Sequence, residues 1–234
     1  MSEPILREYT ERQIENQTKN QPADEVKSIS IGGSFFTGLA AVSQFPNLER
    51  LEVVAMNPRM KTNDLQCDPI VHFKELTHLN LSDNVIESLP QCFSKMFPAL
   101  CRLELSSNVI GKDMCPKEGD EEQSILAVIE PLTLCTELAV LDLESNPICK
   151  FRGYREIVFR LIPSLLILDN KNKTGQEMVS DDSSFESFEF SQETSSGFME
   201  EDEELSTSEN DDGPLDEAGK DEINTPIKKM RLEK

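Results

Sequence analysis

Leu76-Thr77-His78-Leu79-Asn80-Leu81-Ser82-Asp83-Asn84-Val85-Ile86 decides the fold. Its spacing, L-x-x-L-x-L-x-x-N-x-I, returns without mismatch at Leu100, Leu103, Leu105, Asn108, Ile110 and at Leu138, Leu141, Leu143, Asn146, Ile148. Two upstream stretches are degenerate copies: Val26, Ile29, Ile31, Ser34, Phe36, and Leu48, Leu51, Val53 with Met56 in place of the Asn. The L-x-L centre is a short strand turning alternate residues inward. The Asn bends the chain and can satisfy backbone groups of the neighbouring coil. One coil cannot bury its apolar face, but a stack can. The expected fold is an α/β leucine-rich-repeat solenoid, with a concave face of parallel strands, about five repeats and helical caps.

Repeat starts fall at residues 26, 48, 76, 100 and 138, and the last step is the longest. The extra material, 111–124, contains Glu118-Gly119-Asp120-Glu121-Glu122 and reads as an acidic loop on the convex side or rim. It is either a partner contact or a tolerated insertion. Residues 1–25 are expected to hold a capping helix over Pro4–Lys19, with Ile5, Leu6, Tyr9 and Ile14 on one side. Residues 26–150 form the repeats and 151–170 a C-terminal cap, a helix stopped before Pro163 and a final strand. Phe159 and Leu161 are expected to pack beneath the last coil.

From Lys171 the periodicity ends. Residues 171–234 hold 7 basic and 19 acidic side chains of a chain whose formal net charge is -21. Such a segment buries too little apolar surface to fold alone, so a disordered acidic tail is expected. Phe185, Phe188, Phe190 and Phe198 interrupt it, either as a docking peptide or as side chains packing on the solenoid's end. Ser183, Ser206 and Ser208 each have an acidic residue three positions on, which fits an acid-directed kinase, and Thr225-Pro226 fits a proline-directed one. Lys228, Lys229 and Arg231 form a short basic cluster of the nuclear-import type.

A chain this acidic repels nucleic-acid phosphates and attracts cationic proteins. No apolar run is long enough for a membrane helix, and no signal-peptide core precedes the repeats, so a nuclear or cytosolic setting is expected. The six cysteines form no C-x-x-C pair and are expected to be reduced and mostly buried. His72 and His78 are the only histidines, and no hydrolase, P-loop or dinucleotide motif is present; neither catalysis nor a cofactor or metal is expected. Residues between the strand leucines point to the concave surface: Ser28 and Ser30, Arg50 and Glu52, His78 and Asn80, Arg102 and Glu104, Val140 and Asp142, with Glu144 beyond them. The column Ser30, Glu52, Asn80, Glu104, Asp142 holds three carboxylates and no cation, and suits a basic helix or tail.

Tyr154, Arg155, Val158, Phe159, Leu161, Pro163, Leu165, Leu168 and Asp169 resemble the C-terminal cap of intracellular leucine-rich-repeat proteins, including the U2 small ribonucleoprotein A-prime type. In Ile129-Glu130-Pro131-Leu132 and the order of parts, the chain resembles the acidic leucine-rich nuclear phosphoprotein 32 family. It departs from that family in its less densely acidic tail, in Arg152-Gly153 before Tyr154, and in the extra residues 111–124. The resemblance implies a non-catalytic nuclear adaptor, monomeric and shuttling to the cytoplasm, that binds histones or other basic proteins as a histone chaperone or chromatin regulator. It also implies two alternatives: an inhibitor of a protein phosphatase of the 2A type, acting on the catalytic subunit, or a ribonucleoprotein scaffold.

Import receptors read positive charge, and a phosphate on Thr225 would add about -1.5 to -2 beside the basic cluster. A bulky fusion protein carrying alanines at Lys228, Lys229 and Arg231 should stay cytoplasmic, and Thr225→Glu should shift the nuclear fraction towards it. A triple mutant that remains nuclear ends the import reading.

Overall fold

The computed structural model describes residues 3–36, 38–66, 71–115 and 119–178. Helix α1 (Glu3–Thr18) is followed by five strands that stack in sequence order. They are β1 (Ser28–Gly32), β2 (Arg50–Val54), β3 (His78–Asn80), β4 (Arg102–Glu104) and β5 (Val140–Asp142), all parallel. The register puts Ile29, Leu51, Leu79, Leu103 and Leu141 side by side, which is the repeat alignment read from the leucines. Strand β6 (Ile167–Leu168) continues it, pairing Leu168 with Leu141, and β7 (Lys171–Asn172) closes the sheet antiparallel. The chain is a leucine-rich-repeat solenoid.

On the convex side the returns are short: 3-10 turns at Leu39–Val42, Thr62–Leu65 and Pro147–Lys150, and one helical turn, α2 (Phe93–Met96). The long fourth return instead carries helix α3 (Glu121–Thr133). This corrects the reading of 111–124 as a loop, since Glu121 to Ser124 open that helix. Two carboxylates, Glu121 and Glu122, sit in its first turn, where the helix dipole favours negative charge. Glu122 also meets Arg160 of helix α4 (Tyr154–Leu161) at 2.6 Å. Part of the acidic run is therefore helix-starting and helix-joining.

Three buried asparagines hold the coils together. Asn108 donates to Leu105 O at 2.9 Å in its own coil and to Leu81 O at 3.0 Å in the coil before, while Ile86 N–H donates to its side-chain oxygen at 3.0 Å. Asn146 repeats the set with Leu143, Leu105 and Ile110, and Asn84 with Leu81 and Val53, accepting from Met60 and Met56. The residue ahead of each, Asp83, Ser107 and Ser145, has φ between 55° and 61°, and Ala55 (φ 50°) and Gly33 (φ 63°) hold the same place in the earlier coils. That left-handed residue turns the chain inward.

The ends depart from expectation. In α1, Ile14 is buried as expected and Thr10 beside it is buried too, but Ile5 and Tyr9 are 52% and 58% exposed. Gln17 donates to Ser30 O at 2.6 Å and accepts from Ser30 N–H at 2.8 Å, so its amide stands in for a neighbouring strand. Gln13 reaches Gly32 O and the Ser34 hydroxyl, and Thr10 donates to Phe35 O. A polar face, not an apolar one, covers the open edge. At the other end Val158 is fully buried, whereas Phe159 is half-buried with Arg155 and Lys173 over its ring at 5.5 and 5.9 Å. Arg155 donates to Leu168, Lys171 and Asn172 carbonyls. The ordered cap runs on through β7, past residue 170.

Asn108→Ala leaves buried carbonyls and an amide unmatched, at about 1–3 kcal/mol for each orphaned group. Urea unfolding should show a loss of at least about 3 kcal/mol. Phe159→Ala should lose less than the roughly 3–5 kcal/mol of a fully buried phenylalanine. The reverse ranking would contradict this account of the core.

Candidate protein-binding face

Successive strand residues alternate sides, so the odd members of each L-x-L coil face the concave surface in rows. One row, aligned by the strand register, is Ser28, Arg50, His78, Arg102, Val140, Ile167; the next is Ser30, Glu52, Asn80, Glu104, Asp142. The concave residues expected from the sequence are thus brought together, with two amendments. Val140 is buried, not presented, and Glu144 lies exposed beyond the end of β5.

The charge reading also changes. Arg102 Nε meets Glu104 Oε1 at 2.7 Å, and Arg50 Nη1 lies 3.7 Å from Glu52 Oε1. Residues two apart on a strand share a face, and an arginine spans that gap. Asn80 bridges coils by donating to Glu104 Oε2 at 2.6 Å, and its own oxygen accepts from Ser82 N–H. Asp142 accepts from Glu144 N–H at 2.9 Å. The Thr77 hydroxyl and His78 Nδ1 are 2.8 Å apart. The face is not an uncompensated acidic column: Arg50 and Arg102 in one row pair with Glu52 and Glu104 in the next, within β2 and within β4. The depression these residues line has a volume of about 10 Å³. Small-molecule sites run to about 300–1,000 Å³. This surface offers contact to another surface.

A wider cleft of about 360 Å³ lies at the C-terminal end, lined by Glu144, Cys149, Tyr154, Arg155 and Asp169 among others. The sequence reading placed Tyr154, Arg155 and Asp169 in the cap pattern and Glu144 on the concave face, but did not bring them together as a group. Leu143 N–H donates to Asp169 Oδ1 at 2.8 Å, and the Tyr154 hydroxyl approaches the same oxygen at 3.5 Å. Burial pushes the Asp169 carboxyl up from its usual value near 3.8, against those two hydrogen bonds and Arg155, which hold it down. Burial likewise raises the Tyr154 hydroxyl and the Cys149 thiol.

Cys135 is buried and its thiol is pushed up to about 11. Cys92, Cys101 and Cys149 are half-buried and Cys115 is exposed, so burial is less general than expected. His72 Nδ1 sits 2.8 Å from Lys95 O, away from the concave rows. Among the described residues no group of three or more His, Cys, Asp or Glu could hold a metal ion, and no helix is long and apolar enough to cross a membrane. Cys67, Ser183, Ser206, Ser208, Thr225, Lys228, Lys229, Arg231 and the four tail phenylalanines lie outside the described residues.

No protein-family model matches the chain. It is 29% identical over 172 residues to acidic leucine-rich nuclear phosphoprotein 32 family member A of Drosophila pseudoobscura pseudoobscura, covering 73% of this chain and 58% of that one. It is 34% identical over 117 residues to a histone of Tetrahymena thermophila, covering 45% and 30%. It is 27% identical over 154 residues to the geranylgeranyl transferase type-2 subunit alpha of Bos taurus, covering 65% and 23%. The chain thus spans less than two thirds of the length of each of these relatives. A chain of the Drosophila melanogaster SNF/U2A′ complex aligns with TM-score 0.46 and 21% identity, covering 70% of this chain and 83% of that one. An internalin of Listeria monocytogenes aligns with TM-score 0.41 and 12% identity, covering 68% and 54%. The similarity to the phosphoprotein family drawn from the cap is found again in the first of these.

Because folding raises the Asp169 pKa, the native state binds more protons than the unfolded chain above about pH 4. Its carboxylate therefore costs stability increasingly as pH rises through that window, and the cost levels off once ionisation is complete. Asp169→Asn keeps an acceptor for Leu143 N–H without the charge. The urea midpoint of this variant relative to the native chain should rise from about pH 4 to neutrality. A difference that stays flat with pH would show that burial does not load this carboxyl.

Proposed function

We propose that the chain is a non-catalytic nuclear adaptor that binds histones or other basic proteins, in the manner of a histone chaperone or chromatin regulator. The observation that carries this reading is the combination of a rigid, charge-bearing concave face with a formal net charge of -21, concentrated in residues 171–234. A solenoid holds its side chains in fixed rows, so a partner meets a preorganised surface and loses little to ordering it. The acidic segment supplies long-range attraction for cationic proteins. Two relatives bear names of the same setting, a nuclear phosphoprotein and a histone, and these support a nuclear partner. The basic cluster at Lys228, Lys229 and Arg231 supplies an import signal in this reading, and Thr225 with Ser183, Ser206 and Ser208 supply its modification sites.

Binding of this kind is largely electrostatic. Core histones should be retained from nuclear extract by the full chain and largely lost on deleting residues 179–234. Affinity should fall steeply between about 0.1 and 0.5 M salt, as the Debye length shrinks from about 10 Å. Retention of a phosphatase catalytic subunit or of spliceosomal proteins in place of histones would overturn the proposal. Salt-independent binding would move the contact to the tail phenylalanines.

A further inference from the structure

The paired rows on the concave face are arranged for a more specific partner than a polycation. Arg50 and Arg102 flank His78 in one row; Glu52, Glu104 and Asp142 lie in the next. Two of the three carboxylates already have an arginine in their own strand. An incoming polycation would have to compete with those arginines and would be repelled by them. A partner presenting both signs can exchange each internal pair for two cross-pairs, and loses no compensated charge.

The spacing of the rows selects the partner's backbone. Neighbouring strands lie about 4.8 Å apart, so Glu52, Asn80, Glu104 and Asp142 span about 14 Å in three steps. An α-helix laid across the strands advances about 5.4 Å per turn and runs ahead by only about 2 Å over those steps. Lysine and arginine side chains absorb that difference. An extended peptide shows a residue on one face every 6.6 Å or so, which comes near Asp142 but misses Glu104 by about 3 Å. A polyproline helix repeats about every 9.3 Å, which meets Glu52 and Glu104 but misses Asp142. The shallowness of the depression, about 10 Å³, agrees with a rod lying on the surface and not with a side chain plugged into it.

We propose that the concave face binds an α-helix of a partner protein that carries cations on one stripe and carboxylates on the adjacent stripe, about one pair every two turns, to match the pairs in β2 and β4. This deepens the adaptor reading and rests on it: the acidic segment attracts the partner and the paired rows choose the helix.

The test uses the full chain and three synthetic peptides of about 18 residues, measured by fluorescence anisotropy. The first is an alanine-based helix with lysines and glutamates on adjacent stripes. The second has the same composition scrambled around the helix. The third carries the same charges on a proline-rich extended backbone. The striped helix should bind at least tenfold tighter than either of the others. Equal binding by all three, tighter binding by the extended peptide, or no binding by the striped helix overturns the proposal.

Exchanging Arg102→Glu with Glu104→Arg keeps the net charge and the internal pair but mixes the rows. This double variant should lose about tenfold for the striped helix. Adding Arg50→Glu and Glu52→Arg re-sorts the rows with opposite polarity, and a helix lying in the reverse direction should regain at least threefold. An unchanged affinity across these variants, with urea midpoints like the native chain, also overturns it. Core histones are assayed alongside. If they bind while the peptides do not discriminate, the helix proposal alone fails; if histones do not bind either, the adaptor reading fails with it.

Discussion

A strand that ends inside a stacked core leaves backbone carbonyls and amides facing apolar neighbours, and every coil of this protein must satisfy them. The buried asparagine does so. Each of Asn84, Asn108 and Asn146 receives an amide from the preceding coil and donates to carbonyls of both coils. An aliphatic residue there would orphan all of these groups at once, at a cost no added methylene could offset. The leucines provide most of the burial, but the asparagines fix the spacing at which the leucines stack. The alignment of the rows on the face follows from that spacing.

A hydrogen-bonded ladder also has to be stopped, and the two ends are stopped differently. At the front, the side-chain amide of Gln17 imitates a strand against Ser30, with Gln13 and Thr10 extending the same seam. At the back, β6 and β7 fold the ladder on itself, and Arg155 gathers three of the carbonyls that remain. Among the described residues, both ends of the ladder are covered in place of a flat, unpaired edge.

In the adaptor reading, the face between those ends recognises its partner through order more than through net charge. Pairing within β2 and β4 lowers the field of the concave surface, while residues 171–234 carry a net charge of strong negative sign. In the adaptor reading the two parts divide the task. The net negative charge of residues 171–234 speeds encounter, and the positioned charge of the sheet discriminates among partners.

The sequence by itself determined the repeat, its strand register and its cap, because a five-position pattern copied three times leaves one way to stack the leucines. It also determined which residues, from Arg50 to Asp142, share the concave surface, since alternation along a strand is a local property. Only the tertiary structure decided what those residues do to one another. The pairing of Arg102 with Glu104, and the bridge from Asn80, depend on rotamers and neighbouring coils that spacing does not encode. The same holds at the ends. Ile5 and Tyr9 read as a capping face, yet the edge of β1 offers hydrogen-bonding groups, so glutamines and a threonine cover it. Residues 121–124 read as loop because their charges suit solvent. They became helix because the run Ile125 to Leu132 behind them had a core to reach.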